Sequence, residues 1–389
     1  NFDWCFTLGD DEAFASPDFD DSDWRELHLP HDWSIEGEFS KDNPSTPSGG
    51  ALPGGIGWYR KHFATPADIA DRRVNVEFDG IFMNSTVYVN GHEAGYRPYG
   101  YSSLSYDITP YLNPEGEMNV IAVRCDNSEQ PNSRWYAGCG IYRNVRLVAT
   151  GDLFVEYSGT CITTPDVNEK SATVHVVVTV TNKSDEERSV KVINRITGDD
   201  GKQSRKEHRT IRIAAAASVD VEMDILVSSP HRWDIDDPYM YTLTTTLQYR
   251  GSTLDEYTTP FGIRTFSFDA DHGFSLNGRQ MKLKGVCLHH DMGALGTAVH
   301  RRALERQLEI LRSYGCNAIR TSHNPPAPEL LDLCDRMGFL VMDEAFDMWR
   351  RAKTQYDYAR FFDEWHERDL TDFVKRDRNH PSIIMWSVG

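Results

Sequence analysis

The rhythm of apolar residues changes near residue 265, and that change restricts the folds open to the chain. Before it, apolar side chains recur at every second position in short runs, as strands with one buried face require. Residues 74–78 and 85–89 alternate in this way, and the second run leads into Asn90-Gly91, a pair suited to the positive φ angles of a tight hairpin. Residues 120–125 and 145–148 continue the style. From about 152 the runs are richer in β-branched residues. Residues 172–181, 189–196, 218–227 and 241–249 have the spacing of a second small sandwich, with the polar stretch 198–209 separating two of its strands. After 265, strands expected at 281–288, 317–321, 339–342 and 383–386 alternate with helices expected at 301–314, 328–337 and 361–378. Gly315 and Gly338 follow the first two helices, where a left-handed residue ends a helix, and Pro328 opens the second. Continuous apolar strands between helices imply a parallel sheet covered by helices, here about half of an eight-stranded barrel.

The expected division is a β-sandwich over 1–150, a second sandwich over 151–264 and the first half of a (β/α)8 barrel over 265–389. A chain of 389 residues exceeds what one core usually organises. Its 59 acidic and 41 basic residues give a net charge of −18, a field that repels phosphate backbones and anionic lipid. Nucleic acid and membrane are therefore not expected partners, and no apolar run reaches the ~18 residues of a membrane span. The seven cysteines are scattered and show no paired C-x-x-C pattern. Cys287, Cys316 and Cys334 sit among apolar residues and are expected as buried thiols. Aromatics crowd the loops of the first region, among them Trp4, Trp33, Trp58, Tyr99, Tyr101, Trp135 and Tyr136. They suit either a surface on which pyranose rings stack or ordinary core anchoring.

In a parallel barrel the working side chains stand at the C-terminal ends of strands, because the loops there share one mouth. Those ends read His289-His290-Asp291, then Arg320-Thr321-Ser322-His323-Asn324, then Asp343-Glu344 with Asp347 and Trp349 beyond, then Trp386-Ser387-Val388-Gly389. Titratable and aromatic residues at every end point to an active site. His289, His290 and Asp291 could instead ligate a metal, although no helical i, i+4 pair accompanies them. His323 could be a satisfied buried histidine, but its strand-end position favours a functional role. Asp343 and Glu344 look like an acid–base couple, yet adjacent strand residues face opposite ways and cannot converge on one substrate. A structural role, holding neighbouring loops, is expected for them. Arg320 is expected to pair with a carboxylate.

The segment Asn379-His380-Pro381-Ser382-Ile383-Ile384-Met385-Trp386-Ser387-Val388-Gly389 resembles the signature that leads into Asn-Glu in glycoside hydrolase family 2. Gly285-Val286-Cys287-Leu288-His289-His290-Asp291, Asn317-Ala318-Ile319-Arg320-Thr321-Ser322-His323-Asn324-Pro325 and Asp343-Glu344-Ala345 fall in the order and spacing of that family. Trp58-Tyr59-Arg60, Tyr106-Asp107-Ile108-Thr109 and Gly140-Ile141-Tyr142-Arg143 resemble its sugar-binding jelly roll. Asp237-Pro238-Tyr239 and Phe261-Gly262-Ile263-Arg264 resemble its immunoglobulin-like middle domain.

The resemblance implies a jelly-roll sandwich, an immunoglobulin-like sandwich and a partial TIM barrel, working as a retaining exo-β-glycosidase. Such an enzyme uses two glutamates ~5–5.5 Å apart. In the family pattern the acid/base glutamate directly follows the asparagine that would come after Gly389, and the nucleophile lies on a later strand. No catalytic carboxylate is expected within the chain, which by itself should be inactive. His323 matches the family histidine that contacts the sugar, Arg320 the second-strand arginine that pairs with the nucleophile, and His289 a first-strand position lining the mouth. Arg134 and Trp135 match a first-domain loop that reaches the active site, and Asn324 and Asp347 complete the expected substrate contacts. The expected partner is carbohydrate, a terminal β-galactoside on the Asp343-Glu344-Ala345-Phe346-Asp347 form of the third-strand loop. β-Glucuronidase or another exo-glycosidase of the family is the alternative, and a non-catalytic carbohydrate-binding protein is the reading from another class. No cofactor is expected. Phe346-Asp347-Met348-Trp349 does not match the acidic and histidine ligands of the best-known members, so no metal ligand is carried over, and a family-type sodium or magnesium site stays open. Oligomeric state and compartment are also open. A periplasmic or secreted bacterial enzyme, its leader removed ahead of Asn1, fits the sequence.

Overall fold

Two antiparallel sheets face each other in the first part of the chain. One runs, in spatial order, Arg25–Leu27, Trp4–Leu8, Gly55–Ala64, Met118–Asn127, Ser85–Val89, His92–Arg97; the other is Leu104–Asp107, Arg73–Phe78, Val145–Thr150. These come from a computed structural model that describes residues 1–201 and 203–389. The alternation that predicts the strands also fills the core. Val74, Val76 and Phe78 from one sheet meet Phe6, Tyr59, Val87, Val89, Ile121 and Val123 from the other, and each such buried side chain contributes about 1.5–3 kcal/mol. Asn90 and Gly91 have φ of 50° and 83°, the two positive angles of a type I′ hairpin. Of the aromatics expected in loops, Trp4 and Trp58 lie in strands instead, and these two with Trp33, Tyr99 and Tyr101 are buried anchors. Trp135 is only partly buried.

In the middle sandwich, Leu153–Val167, Ser171–Asn182 and Ala217–Ser228 pack against Gln203–Ile213, Arg188–Gly198, Tyr241–Tyr249 and Ser252–Phe261. The stretch 198–209, expected as a connection, is largely strand: Gln203–Ile213 pairs along Arg188–Gly198 at the sheet edge. Its Arg205, Lys206, Glu207, His208 and Arg209 carry little apolar signal, so ladder hydrogen bonds define this strand, with charges blunting the edge. Lys202 lies outside the described residues.

After the hairpin of Phe266–Asp269 and Gly273–Leu276 come β1 (Gly285–Leu288), α1 (Arg301–Ser313), β2 (Ala318–Thr321), α2 (Pro328–Met337), β3 (Leu340–Glu344), α3 (Ala359–Asp377) and β4 (Ile383–Ser387). The four strands are parallel neighbours in sequence order. The strand expected at 281–288 begins only at Gly285, because Arg279–Gln280 extends the preceding hairpin. The strand expected at 339–342 becomes Leu340–Glu344. Gly338 is left-handed and Phe339 N still bonds Cys334 O, so the end of α2 uses those residues. Helices cover one face of the sheet: Leu304, Leu308, Leu331, Cys334, Phe362 and Phe373 share a core with Ile319, Val341 and Ile383. The other face carries Cys287, Arg320 and Met342 in register. Cys287, expected to be buried, is therefore exposed; Cys316 is half-buried and Cys334 buried.

The barrel core continues into the first sandwich, taking in Phe82, Met83, Tyr99, Tyr101 and Tyr142. Arg97 of the sandwich, 1% exposed, pairs with Asp369 and Asp372 of α3 at 2.7 Å each. Arg143 donates to Pro325 O at 2.9 Å. Shared packing of this kind leaves little freedom between the two parts. It fixes the sandwich loop 128–139 over the C-terminal ends of β1–β3.

Candidate active site

The inner face of the half barrel ends in one carboxylate, that of Glu344. Arg320 grips it with Nε and Nη2, at 2.6 and 2.8 Å, and Ser387 Oγ donates to it at 2.9 Å. His323 Nδ1 donates to Glu344 Oε1 at 2.7 Å, a tautomer assigned from this network, which leaves Nε2 as the ring's second site. Burial raises the Glu344 carboxyl, but the bonds from Arg320, His323 and Ser387 outweigh it and hold the group below its ordinary value. Asp343 points the other way, to Thr321 Oγ1 at 3.2 Å. Burial, and then the charge of Asp377, push its carboxyl well above the usual range. The two adjacent carboxylates thus occupy different faces, and their surroundings shift them in opposite directions.

Above Glu344 the sandwich loop closes one side of the mouth. The Trp135 ring lies parallel to His289 (centroids 5.1 Å apart, planes 15° from parallel) and 5.5 Å from His323. His289 and His323 meet edge to face at 5.6 Å. His289 Nδ1 donates to Ser322 O at 2.8 Å, which orients the ring. Arg134 forms a bidentate pair with Asp347, one bond being Nε to Oδ2 at 3.0 Å, and Lys353 Nζ adds a bond to Asp347 Oδ1 at 3.0 Å. Burial raises the Asp347 carboxyl, yet Arg134 and Lys353 bring it below its ordinary value. Beside this pair opens a recess of about 670 Å³ lined by Arg134, Asp347, Met348, Trp349, Arg351 and Lys353, within the size range of ligand sites.

Of the residues singled out in the sequence, His289, Trp135, His323, Arg320, Arg134 and Asp347 meet at this mouth. Asn324 does not reach it. It is 2% exposed, and its Nδ2 donates to Pro325 O at 3.1 Å beneath the second-strand loop. His290 points away from His289, toward Ala137 O at 3.2 Å. Among the described residues no group of three or more His, Cys, Asp or Glu is arranged to hold a metal ion. Sequence reasoning passes over Lys353 and names Ser387 at the fourth strand end without giving it a role. Lys353 follows a polar loop with no periodicity, while Ser387 stands inside a motif already singled out and is identifiable from its strand-end position.

The chain matches three family models: "Glycosyl hydrolases family 2, sugar binding domain" over 3–151, "Glycosyl hydrolases family 2" over 160–264, and "Glycosyl hydrolases family 2, TIM barrel domain" over 270–389. It is 57% identical over 389 residues to beta-galactosidase BoGH2A of Bacteroides ovatus, covering all of this chain and 46% of that protein. A putative beta-glucuronidase of Formosa agariphila is 38% identical over 390 residues, which cover all of this chain and 37% of that protein. A glycosyl hydrolase family 2 member from Bacteroides cellulosilyticus superposes with a TM-score of 0.97 at 42% identity, over all of this chain and 51% of that one. The chain thus spans about half the length, or less, of the relatives it matches. With all three models of one family laid end to end along it, the chain belongs to glycoside hydrolase family 2.

Proposed function

We propose that the chain is the front part of a retaining exo-β-glycosidase that hydrolyses terminal β-galactosides. Its domains would be a jelly roll over 1–150, an immunoglobulin-like sandwich over 151–264 and a half barrel over 265–389, with both catalytic glutamates supplied by residues that follow Gly389. The observation that carries this reading is the wall of Trp135 beside His289 and His323, delivered by the sandwich loop onto the strand ends. A wall on one side admits a chain end and blocks an internal sugar, as exo action requires. The charges agree with catalytic carboxylates that lie elsewhere. Glu344 and Asp347 are both held as anions by cations, and Asp343 faces away, so none of the three is poised to protonate a leaving oxygen. His323 contributes Nε2 to sugar hydroxyls. Arg320 keeps Nη1 clear of Glu344, 3.9 Å from Cys287 Sγ on the inner face, where the nucleophile of the completed barrel can meet it. Identity of 57% with a beta-galactosidase favours the galactoside. A β-glucuronide is the second reading, favoured by Arg351, which lines the mouth recess beside Arg134 and Lys353 and has no partner among the described residues.

The complete protein should turn over nitrophenyl β-galactoside in preference to the glucuronide and mannoside, while the 389-residue chain alone stays inactive. His323→Ala in the complete protein should lower kcat/KM by about 10²–10³-fold with the fold intact. Preference for the glucuronide transfers the assignment to the second reading. Turnover of ~1–10³ s⁻¹ by the isolated chain would remove the placement of the carboxylates.

A further inference from the structure

Asp32 lies in none of the strand-end motifs, yet five donors converge on its carboxylate. Ser34 N and Cys139 N reach Oδ1 at 3.1 and 3.0 Å, and Tyr136 Oη, Thr297 N and Thr297 Oγ1 reach Oδ2 at 2.6, 2.9 and 3.0 Å. The residue is 2% exposed. All five donors are neutral, three amides and two hydroxyls, and together they replace the water that a buried carboxylate loses. They come from three places: the turn of Asp32 itself, the sandwich loop 128–139, and the barrel segment between β1 and α1. Two glycines press against the same group. A Cβ on Gly138 would lie 2.0 Å from Thr297 Oγ1 and 2.8 Å from Asp32 Oδ2, and one on Gly296 would lie 2.4 Å from Oδ2. Both have positive φ, 72° and 59°. The backbones have closed on the carboxylate as far as glycine permits.

The loop held there is the one that carries the pocket wall. Tyr136 turns inward to Asp32, while its neighbour Trp135 turns outward over His289. Ala137 O is taken by His290, and Cys139 N by Asp32. The loop is tied at 136, 137 and 139, and residues 134 and 135 project into the mouth. Burial, and then the charge of Asp32, hold the Tyr136 phenol far above its ordinary pKa, so its O–H remains a donor. We propose that Asp32 is a positioning residue for the sugar pocket: it touches no substrate, and it sets the height and angle of Trp135 and Arg134 by clamping Tyr136, Cys139 and Thr297 together. This rests on the reading of Trp135 as a pocket wall.

The test is a double-mutant cycle in the complete protein, with Asp32→Asn, Trp135→Ala and the pair, read as kcat/KM on the preferred aryl glycoside alongside thermal melting. Asn keeps the volume but turns an NH2 toward donors. Asp32→Asn should lose about 10–100-fold in kcat/KM, the scale of a misplaced binding group. The double variant should be no worse than the poorer single one, because both act through one loop. A lower melting temperature with unchanged kinetics overturns the proposal, as do losses that multiply. Should Asp32→Asn fail to fold, Tyr136→Phe removes a single hydroxyl from the clamp. A loss that vanishes in the Trp135→Ala background then supports the proposal, and unchanged kinetics overturn it. If Trp135→Ala and Arg134→Ala themselves leave kinetics untouched, the wall reading has failed instead, and this inference with it.

Discussion

His380 and His290 are both buried, and their surroundings push them in opposite directions. His380 Nδ1 bonds Asp335 Oδ2 at 2.6 Å. Burial lowers the ring, but Asp335, with Asp377 and Asp332 beyond it, overcomes that and raises it from 6.5 to about 9. His290 has no such partner; burial, then the Arg143 guanidinium, lower it from 6.5 to about 3. For His380 the folded pKa exceeds the unfolded one, so its stabilisation is complete below pH 6.5 and disappears as pH rises through about 9. For His290 the unfolded ring takes up a proton below pH 6.5 and the folded ring does not until about 3, so stability falls as pH drops through that window. Melting temperature against pH should therefore flatten on the alkaline side in His380→Gln and on the acid side in His290→Gln. Each effect should be on the order of 1–3 kcal/mol. A His380→Gln curve parallel to wild type between pH 6.5 and 9 would contradict the ion pair.

At the scale of elements, the end of α2 is set by Gly338, left-handed at φ 70° with its Cα packed on the middle domain. A Cβ there would stand 2.1 Å from Ile235 O, a backbone atom that cannot swing aside. Gly338→Ala should cost at least 1–3 kcal/mol, from the left-handed backbone and the clash together, visible as a lowered denaturant midpoint. An unchanged midpoint would mean that the two domains do not pack as described. α2 is also the element that the sequence reads to the residue, because Pro328 and Gly338 punctuate it at both ends. Several strands escape it, among them Trp4–Leu8, Gly55–Ala64 and Ser252–Phe261; Leu153–Val167 is broken by irregular register, and the charged edge Gln203–Ile213 has a ladder for its signal rather than a buried face. The site divides in the same way. Arg320 and His323 are readable because a barrel places strand ends at one mouth. Asp32 is unreadable because its partner Thr297 is 265 residues away. Asn324 shares a motif with His323, yet the loop turns it inward, and nothing in the local sequence distinguishes the two directions.

Across the whole molecule, the first sandwich and the half barrel are joined by one apolar core and by the Arg97 pair with Asp369 and Asp372. Tyr358 Oη and Ser102 Oγ also donate to Asp369, so removing Arg97 leaves a buried carboxylate with hydroxyls but no cation. Arg97→Met should lower stability by about 3–5 kcal/mol, with proteolytic nicking increased between the sandwich and α3. A loss below about 1 kcal/mol would mark the pair as a surface-type bridge. The continuous core also bears on synthesis. Phe82, Met83, Tyr99 and Tyr101 leave the ribosome long before Ile319 and Val341, the barrel residues that share their core. At ~5–20 residues per second the gap from Tyr101 to Ile319 is roughly 10–40 s. Throughout that interval the nascent sandwich presents an uncovered aromatic patch, so the surface that later braces the pocket is, during translation, the one in need of a chaperone.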